Sequence, residues 1–566
     1  MKLVVVGGVA GGASAAARVR RIDANAEIVV FDKGEYVSYS NCSLPYYLGG
    51  VVEDADTLVM MTPESFKSKH DMEFYTKMEV LSIDRKAHTV RVRNLRNGEE
   101  FDESYDKLVL SPGAKPVRPR SIEGVMGDNV YTLRDVTDAV RLKETLDKKG
   151  AENIVVIGGG FIGIETAENL IKAGKKVTLI EAMDQILAPF DHDMVQTLQK
   201  ELHDNGVDLK LGCALTKIGD GFAVYKKGDE EFEIKQDAVV MTIGVAPETG
   251  LAKDAGLEIG ITGGIKVNEH FQTSDPDIYA VGDVIESFNM ITKQPGRLTL
   301  AGPAQRQARA AADHMYGLPH NYKGFIGSSC IRVFDLNGAS TGLNERALEK
   351  EGYKYDSVMV FSNDKVGIMP NAHYLQLKVL FEVPSGKLLG AQAIGLGEAD
   401  KRINVIATLI TMGGTLEDLK ELELCYAPLF STAKDAVNMA ALVGLNVLSG
   451  RMPQVHVSEV RKLVEDGAYI IDVREEEEFE QGHIVTAHNI PLSQIRSRLD
   501  EIPKDIPVYV HCRSSQRSYY AMCALKGNGF TNIVNISGSF LGISLYEYFD
   551  DVKGNRKPIV TAYNFN

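Results

Sequence analysis

Two cysteines stand in settings that could do sulfur chemistry. Cys42 lies in Ser38-Tyr39-Ser40-Asn41-Cys42-Ser43-Leu44-Pro45-Tyr46-Tyr47, with Pro45, Tyr46 and Tyr47 where a second cysteine of an internal redox disulfide would fall. A lone thiolate must take its partner sulfur from a substrate thiol, a persulfide or an oxidised cysteine. Cys512 follows the apolar run Val508-Tyr509-Val510-His511 and opens Cys512-Arg513-Ser514-Ser515-Gln516-Arg517-Ser518, with a helix expected from about Tyr519. A cysteine between a strand end and a helix start faces a nest of backbone N–H groups. The helix field, with Arg513 and Arg517, favours a thiolate or a persulfide anion there.

Both sulfurs need elements to position them. Asn153-Ile154-Val155-Val156-Ile157 runs into Gly158-x-Gly160-x-x-Gly163, and Glu181 stands eighteen residues past Gly163. This is the dinucleotide fingerprint: glycines for the tight turn and close backbone approach, a helix N-terminus for pyrophosphate, an acid for the ribose hydroxyls. An acid there repels a 2′-phosphate, and no arginine follows at Ala182–Ile186, which favours NADH over NADPH. The first such turn, Gly7-Gly8-Val9-Ala10-Gly11-Gly12, replaces the middle glycine with Val9. Asp32, twenty residues past Gly12, keeps the acid.

The 566 residues exceed one core, so three or four domains are expected. The net charge of −15 argues against a nucleic-acid surface. Six cysteines without framework spacing read as a reducing compartment, and no metal is expected. A strand starting at Lys2 leaves no signal peptide, and no apolar run reaches the ~20 residues of a membrane helix. A cytoplasmic protein without membrane partners is expected.

Residues 1–446 resemble the single-cysteine branch of the flavoproteins with two dinucleotide sites. Within it, Gly7–Gly12 with Ala10, then Ser38-x-x-Asn41-Cys42-x-x-Pro45-Tyr46, is similar to coenzyme A-disulfide reductases. Related peroxidases and oxidases carry a histidine where Ala10 stands. Residues 457–550 resemble a rhodanese domain through Ile470-Ile471-Asp472-Val473-Arg474, Phe479-x-x-Gly482-His483-Ile484, Asn489-Ile490-Pro491 and the loop from Cys512 to Arg517. That loop suits sulfur, whereas phosphatase relatives use one residue more. Ser515 stands where rhodaneses often have glycine, and Ser537-Gly538-Ser539 where they have a glycine pair.

The resemblance implies an α/β protein with two Rossmann-like domains, an α+β dimerisation domain and a C-terminal rhodanese-like α/β domain. The expected boundaries are 1–112 with 248–322 for FAD, 113–247 for NAD, 323–446 for dimerisation, 447–456 for a linker and 457–555 for the rhodanese part. FAD is expected on Gly7, Gly8, Gly12, Asp32, Lys33, Ser111, Gly113, Ala301 and Asp283, which ends the Tyr-Ala-x-Gly-Asp strand of such flavoproteins. NADH is expected on Gly158, Gly160, Gly163, Glu181 and Gly244, with Phe161 as an aromatic gate. Arg18, Arg21 and Lys67 would hold coenzyme A phosphates, with Ser38 and Asn41 beside the sulfur. Tyr426 of the partner subunit in a homodimer would serve Cys42, while a second tyrosine of the relatives is replaced near Met369-Pro370. Cys512 with Arg513, Ser514, Ser515, Gln516, Arg517 and Ser518 would form the sulfur-carrying loop.

The expected function is NADH-dependent reduction of coenzyme A persulfide or coenzyme A disulfide through a Cys42 thiolate of lowered pKa. The residues leave open which substrate is used and in which direction sulfur flows. A peroxidase or oxidase working through a Cys42 sulfenate, and a sulfur-carrier or redox-sensing protein, are the alternatives.

Overall fold

Residues 1–148 and 150–565 are described by a computed structural model. The chain forms two compact units, Met1–Asp184 with Gly206–Phe325, and Gln185–Asn205 with Ile326–Asn566.

The first unit holds two parallel five-stranded sheets. One runs in the order Ile278–Ala280, Lys107–Leu110, Lys2–Val6, Glu27–Asp32, Glu73–Thr76. The other runs Asp208–Leu211, Lys176–Glu181, Asn153–Ile157, Ala238–Met241, Val130–Tyr131. Strands covered on both faces read as continuous apolar runs, and Leu3, Val4, Val5, Val155 and Val156 are buried. The helix Ala10–Ile22 follows the first strand of one sheet, and Phe161–Lys172 follows Asn153–Ile157 in the other. The small side chains of Ala15 and Ala16 are buried, which lets that helix pack closely. The chain leaves the first sheet for the second and returns to it with Ile278–Ala280, which pairs with Lys107–Leu110.

In the second unit an antiparallel sheet runs Ser329–Val333, Leu336–Gly342, Leu388–Gly395, Tyr374–Glu382, Tyr355–Asn363. The helix His192–Asp204 packs in this unit, although its sequence lies between strands of the second parallel sheet. Asp191, Asp193 and Glu345 converge there, and the buried Lys378 Nζ sits among them at 3.1, 2.8 and 2.8 Å. The cation of this cluster is therefore the chain's own.

The C-terminal sheet is parallel, in the order Gln454–Val455, Ile533–Ile536, Val508–His511, Tyr469–Asp472, His488–Asn489. The connection expected over 447–456 is shorter than that. The helix Ala436–Leu448 precedes it, and Gln454 already pairs with Asn535. Val485 N–H donates to Ile559 O at 3.0 Å and Thr561 N–H to His483 O at 2.8 Å, so the chain past 555 folds back onto this sheet's connections. No helix among the described residues is long and apolar enough to cross a membrane.

Candidate active sites

The two glycine turns are built alike. Gly7 and Gly158 have φ of 97° and 102°, a region that favours glycine. A Cβ on Gly12 would lie 1.8 Å from Gly7 O, and one on Gly163 would lie 1.9 Å from Gly158 O. Each helix thus enters against its own strand end. Gly160 faces open space, and a Cβ there would meet nothing within 4 Å. The acids also match. Asp32 accepts the N–H of Gly8 and of Gly34, both at 2.7 Å. Glu181 accepts the N–H of Gly159 at 2.6 Å and of Met183 at 2.8 Å. Each carboxylate braces its turn from the end of the neighbouring strand.

Ser111 closes under the first turn, where its Oγ would sit 2.5 Å from a Cβ on Gly11. Gly113 and Gly244 have φ of 74° and 102°. Lys33 pairs with Glu248 at 2.7 Å. Ala301 starts the helix Ala301–Met315. Phe161 is the half-buried first residue of its helix. Asp283 lies with Arg134 at 3.9 Å. Burial raises the Asp283 carboxyl, and Arg134 and Arg297 oppose the rise. Arg297 Nη1 is buried without a partner among the described residues, a donor suited to an anionic or hydroxylated ligand.

Cys42 lies in the short turn Asn41–Ser43, just before the helix Leu44–Leu48. Ser38 adopts φ 48° and its N–H donates to Gly8 O at 2.9 Å, which ties this segment to the first glycine turn. Asn41 Oδ1 is buried without a partner among the described residues. The lowered pKa expected for Cys42 is not what the surrounding protein produces. Although the residue is exposed, desolvation of its sulfur pushes the thiol up, and Glu165 and Asp283 add to the rise. Glu165 escaped the sequence reading. It lies on Phe161–Lys172, accepts a 3.4 Å bond from Tyr46 OH, and is pushed up to about 7 by burial. An acid among buried Gly163, Ile164, Thr166 and Ala167 was the available signal.

Two of the basic residues expected to meet phosphates are engaged within the chain. Arg18 pairs with Asp313 at 2.5 Å, because its helix packs on Ala301–Met315. Lys67 pairs with Asp71 and Glu73, both at 2.7 Å, and Arg21 is exposed. In the second unit Tyr426 is exposed, with Leu429 and Phe430 exposed nearby in the chain. Val366 N–H donates to Pro428 O at 3.3 Å, so the segment leading to Met369 lies against the Tyr426 loop.

Cys512 ends its strand and is 1% exposed. The following helix begins at Gln516, three residues before the expected start. Ser515 and Ser539 both hold left-handed backbone, with φ of 75° and 50°, a conformation that strains a serine and explains glycine as the common occupant. Their hydroxyls meet at 3.1 Å. Ser539 Oγ accepts Cys512 N–H at 3.2 Å and its hydroxyl points to Cys512 Sγ at 4.0 Å. Ser514 and Gln516 complete the turn into the helix, and Ser518 Oγ donates to Asn535 Oδ1 at 2.6 Å. Arg517 is bidentate on Glu478 at 2.5 and 2.7 Å. Arg513 lies over the Tyr374 ring, 4.6 Å from its centroid. His511 is fully buried, and desolvation lowers its pKa.

Residues 1–308 match the family described as pyridine nucleotide-disulphide oxidoreductase, and 329–437 match the dimerisation domain of that family. Residues 456–545 match the rhodanese-like domain. A coenzyme A disulfide reductase of Staphylococcus haemolyticus is 34% identical over 440 residues, covering 77% of this chain and 98% of that protein. Among solved structures, reduced Bacillus anthracis CoADR-RHD is 41% identical with a TM-score of 0.93, covering 97% of this chain and 98% of that one. A NAD-dependent persulfide reductase from A. fulgidus is 36% identical with a TM-score of 0.90, covering 95% and 99%.

Proposed function

The chain belongs to the pyridine nucleotide-disulphide oxidoreductase family and carries a rhodanese-like domain, and on that premise we propose that it reduces coenzyme A persulfide or disulfide with NADH through Cys42. One observation carries this reading. Cys42 stands alone beside the first glycine turn, on the segment that Ser38 ties to Gly8, with no second cysteine to form an internal disulfide. The names of two relatives, a coenzyme A disulfide reductase and a persulfide reductase, support it.

The residues present fit both dinucleotides. The turn Gly7–Gly12, Asp32, Asp283 and the unpartnered Arg297 Nη1 would hold FAD. The turn Gly158–Gly163 and Glu181 would hold NADH. Bound FAD supplies the path by which two electrons from NADH reach the Cys42 sulfur. Cys42 as thiolate attacks the coenzyme A sulfur of CoA–S–SH, forming Cys42–S–S–CoA and releasing HS⁻. Two electrons and one proton then return the Cys42 thiolate and free coenzyme A. Glu165, pushed up to about 7 by burial, opposes the Cys42 thiolate when it is itself ionised. Cys512 would supply the outer sulfur to coenzyme A or receive it from the persulfide before any HS⁻ is released, and two sulfur sites in one chain favour the persulfide over the symmetric disulfide. A homodimer would bring the partner's Tyr426 to Cys42, and the exposed Tyr426, Leu429 and Phe430 suit such a contact.

NADH oxidation measured side by side with coenzyme A persulfide, coenzyme A disulfide, peroxide and oxygen should be fastest with the persulfide. A rate with peroxide or oxygen above both sulfur substrates would overturn the proposal.

A further inference from the structure

A cavity of about 270 Å³ lies against the Cys512 loop. Its apolar wall is Phe540 and Leu541, whose backbone N–H groups donate to Cys512 O and Arg513 O, both at 3.0 Å. The wall therefore sits directly on the sulfur-bearing turn. The charges around the cavity are mostly spent. Arg474 lines it but is paired with Asp472 at 2.6 Å and stacked on Phe540. Glu478 lines it but is taken by Arg517.

Arg513 is the exception. Its Nη2 is buried with no hydrogen-bond partner among the described residues. Tyr374, from the antiparallel sheet, lies under its guanidinium and fixes where it points. A buried guanidinium N–H left unmade is costly, and an oxyanion is its natural complement. Gln481 and Asn564 also line the cavity, and Asn564 arrives on the C-terminal segment that folds back over this domain.

We propose that this cavity is a selectivity subsite, in which Arg513 holds the carboxylate of a small organic persulfide that exchanges sulfur with Cys512. The proposal rests on the sulfur-carrier reading of Cys512 given above. The step balances without an added oxidant. The Cys512 thiolate attacks the outer sulfur of R–S–SH, the new bond is Cys512–S–SH, the donor S–S bond breaks, and its electron pair leaves as R–S⁻. The transferred sulfur keeps its proton. Because Cys512 is 1% exposed, loading also requires local opening around its sulfur. Tyr374 acts through Arg513 and is a positioning residue.

The test uses the full-length flavoprotein and two donors that differ by one group. N-acetylcysteine persulfide carries a carboxylate, and N-acetylcysteamine persulfide is otherwise the same molecule without it. The readout is the rate at which the Cys512 peptide gains one sulfur by mass. The carboxylated donor should load about tenfold faster at low concentration, as one charge-assisted bond supplies. Arg513→Gln should bring the ratio of the two rates towards one, and Arg513→Lys should keep part of it. Equal loading of both donors by the unaltered protein, a comparison that needs no variant, would overturn the subsite while leaving Cys512 as a carrier. A preference that survives Arg513→Gln would equally remove Arg513 from the role. Failure of both donors to load Cys512 at all would sink the carrier reading and this proposal with it.

Discussion

Glu181 accepts the backbone N–H of Gly159 at 2.6 Å. The acid that should read the ribose is thus also a brace for the glycine turn, as Asp32 is for Gly8 at 2.7 Å. On the proposed NADH site its negative charge would meet an incoming 2′-phosphate. Flavin reduction should therefore be much faster with NADH than with NADPH. Glu181→Gln, which keeps an acceptor for Gly159, should narrow that ratio by about tenfold by removing one close like-charge contact. Equal rates with the two nucleotides in the unaltered enzyme would remove the argument.

Cys42→Ser should still bind FAD and accept hydride, since neither step uses the sulfur. Multiple turnover with coenzyme A persulfide should be lost. Substantial steady-state NADH oxidation by this variant would move the chemistry to Cys512 or to the flavin itself.

Glu165 sets the sign of a pH effect. Burial raises its carboxyl from the ordinary range to about 7. Below that pH it is mostly neutral. Above it, the carboxylate opposes ionisation of Cys42. Glu165→Gln removes the opposing charge, so Cys42 should alkylate roughly two- to fivefold faster between pH 7 and 8, with the two profiles converging at lower pH. A slower Cys42 in the variant would show that Glu165 instead takes the thiol proton.

Cys512→Ser should abolish sulfur gain on its peptide. NADH oxidation with freely diffusing coenzyme A persulfide should continue, because Cys42 and both glycine turns lie in the other compact unit. Loss of that turnover would mean that the two sulfurs are obligatorily coupled.

Lys378 is the buried cation of three carboxylates. Lys378→Met leaves their charge uncompensated and should destabilise the second unit by about 3–5 kcal/mol. Denaturant unfolding followed at neutral pH reads this as a lower midpoint. An unchanged midpoint would show that the carboxylates take up protons at little cost.

The α/β class, the two dinucleotide turns and the rhodanese-like segment were legible because each is carried by contiguous residues. Gly158-x-Gly160-x-x-Gly163 dictates its own turn, since any Cβ at Gly163 would strike Gly158 O at 1.9 Å. Cys42 without a near partner and Cys512 at a strand end are likewise local facts. What only the tertiary structure decided depends on residues far apart in the chain. Asp313, almost three hundred residues on, takes Arg18. Glu478 takes Arg517, and Tyr374 lies under Arg513. The helix His192–Asp204 packs in the second unit. Loss of solvent around the Cys42 sulfur, with Glu165 and Asp283 adding to it, raises its thiol where a lowered pKa was expected. Spacing along the chain determines which backbone turns are possible. Which charge finds which partner, and how much water is left around it, is set by packing between segments that no local pattern relates.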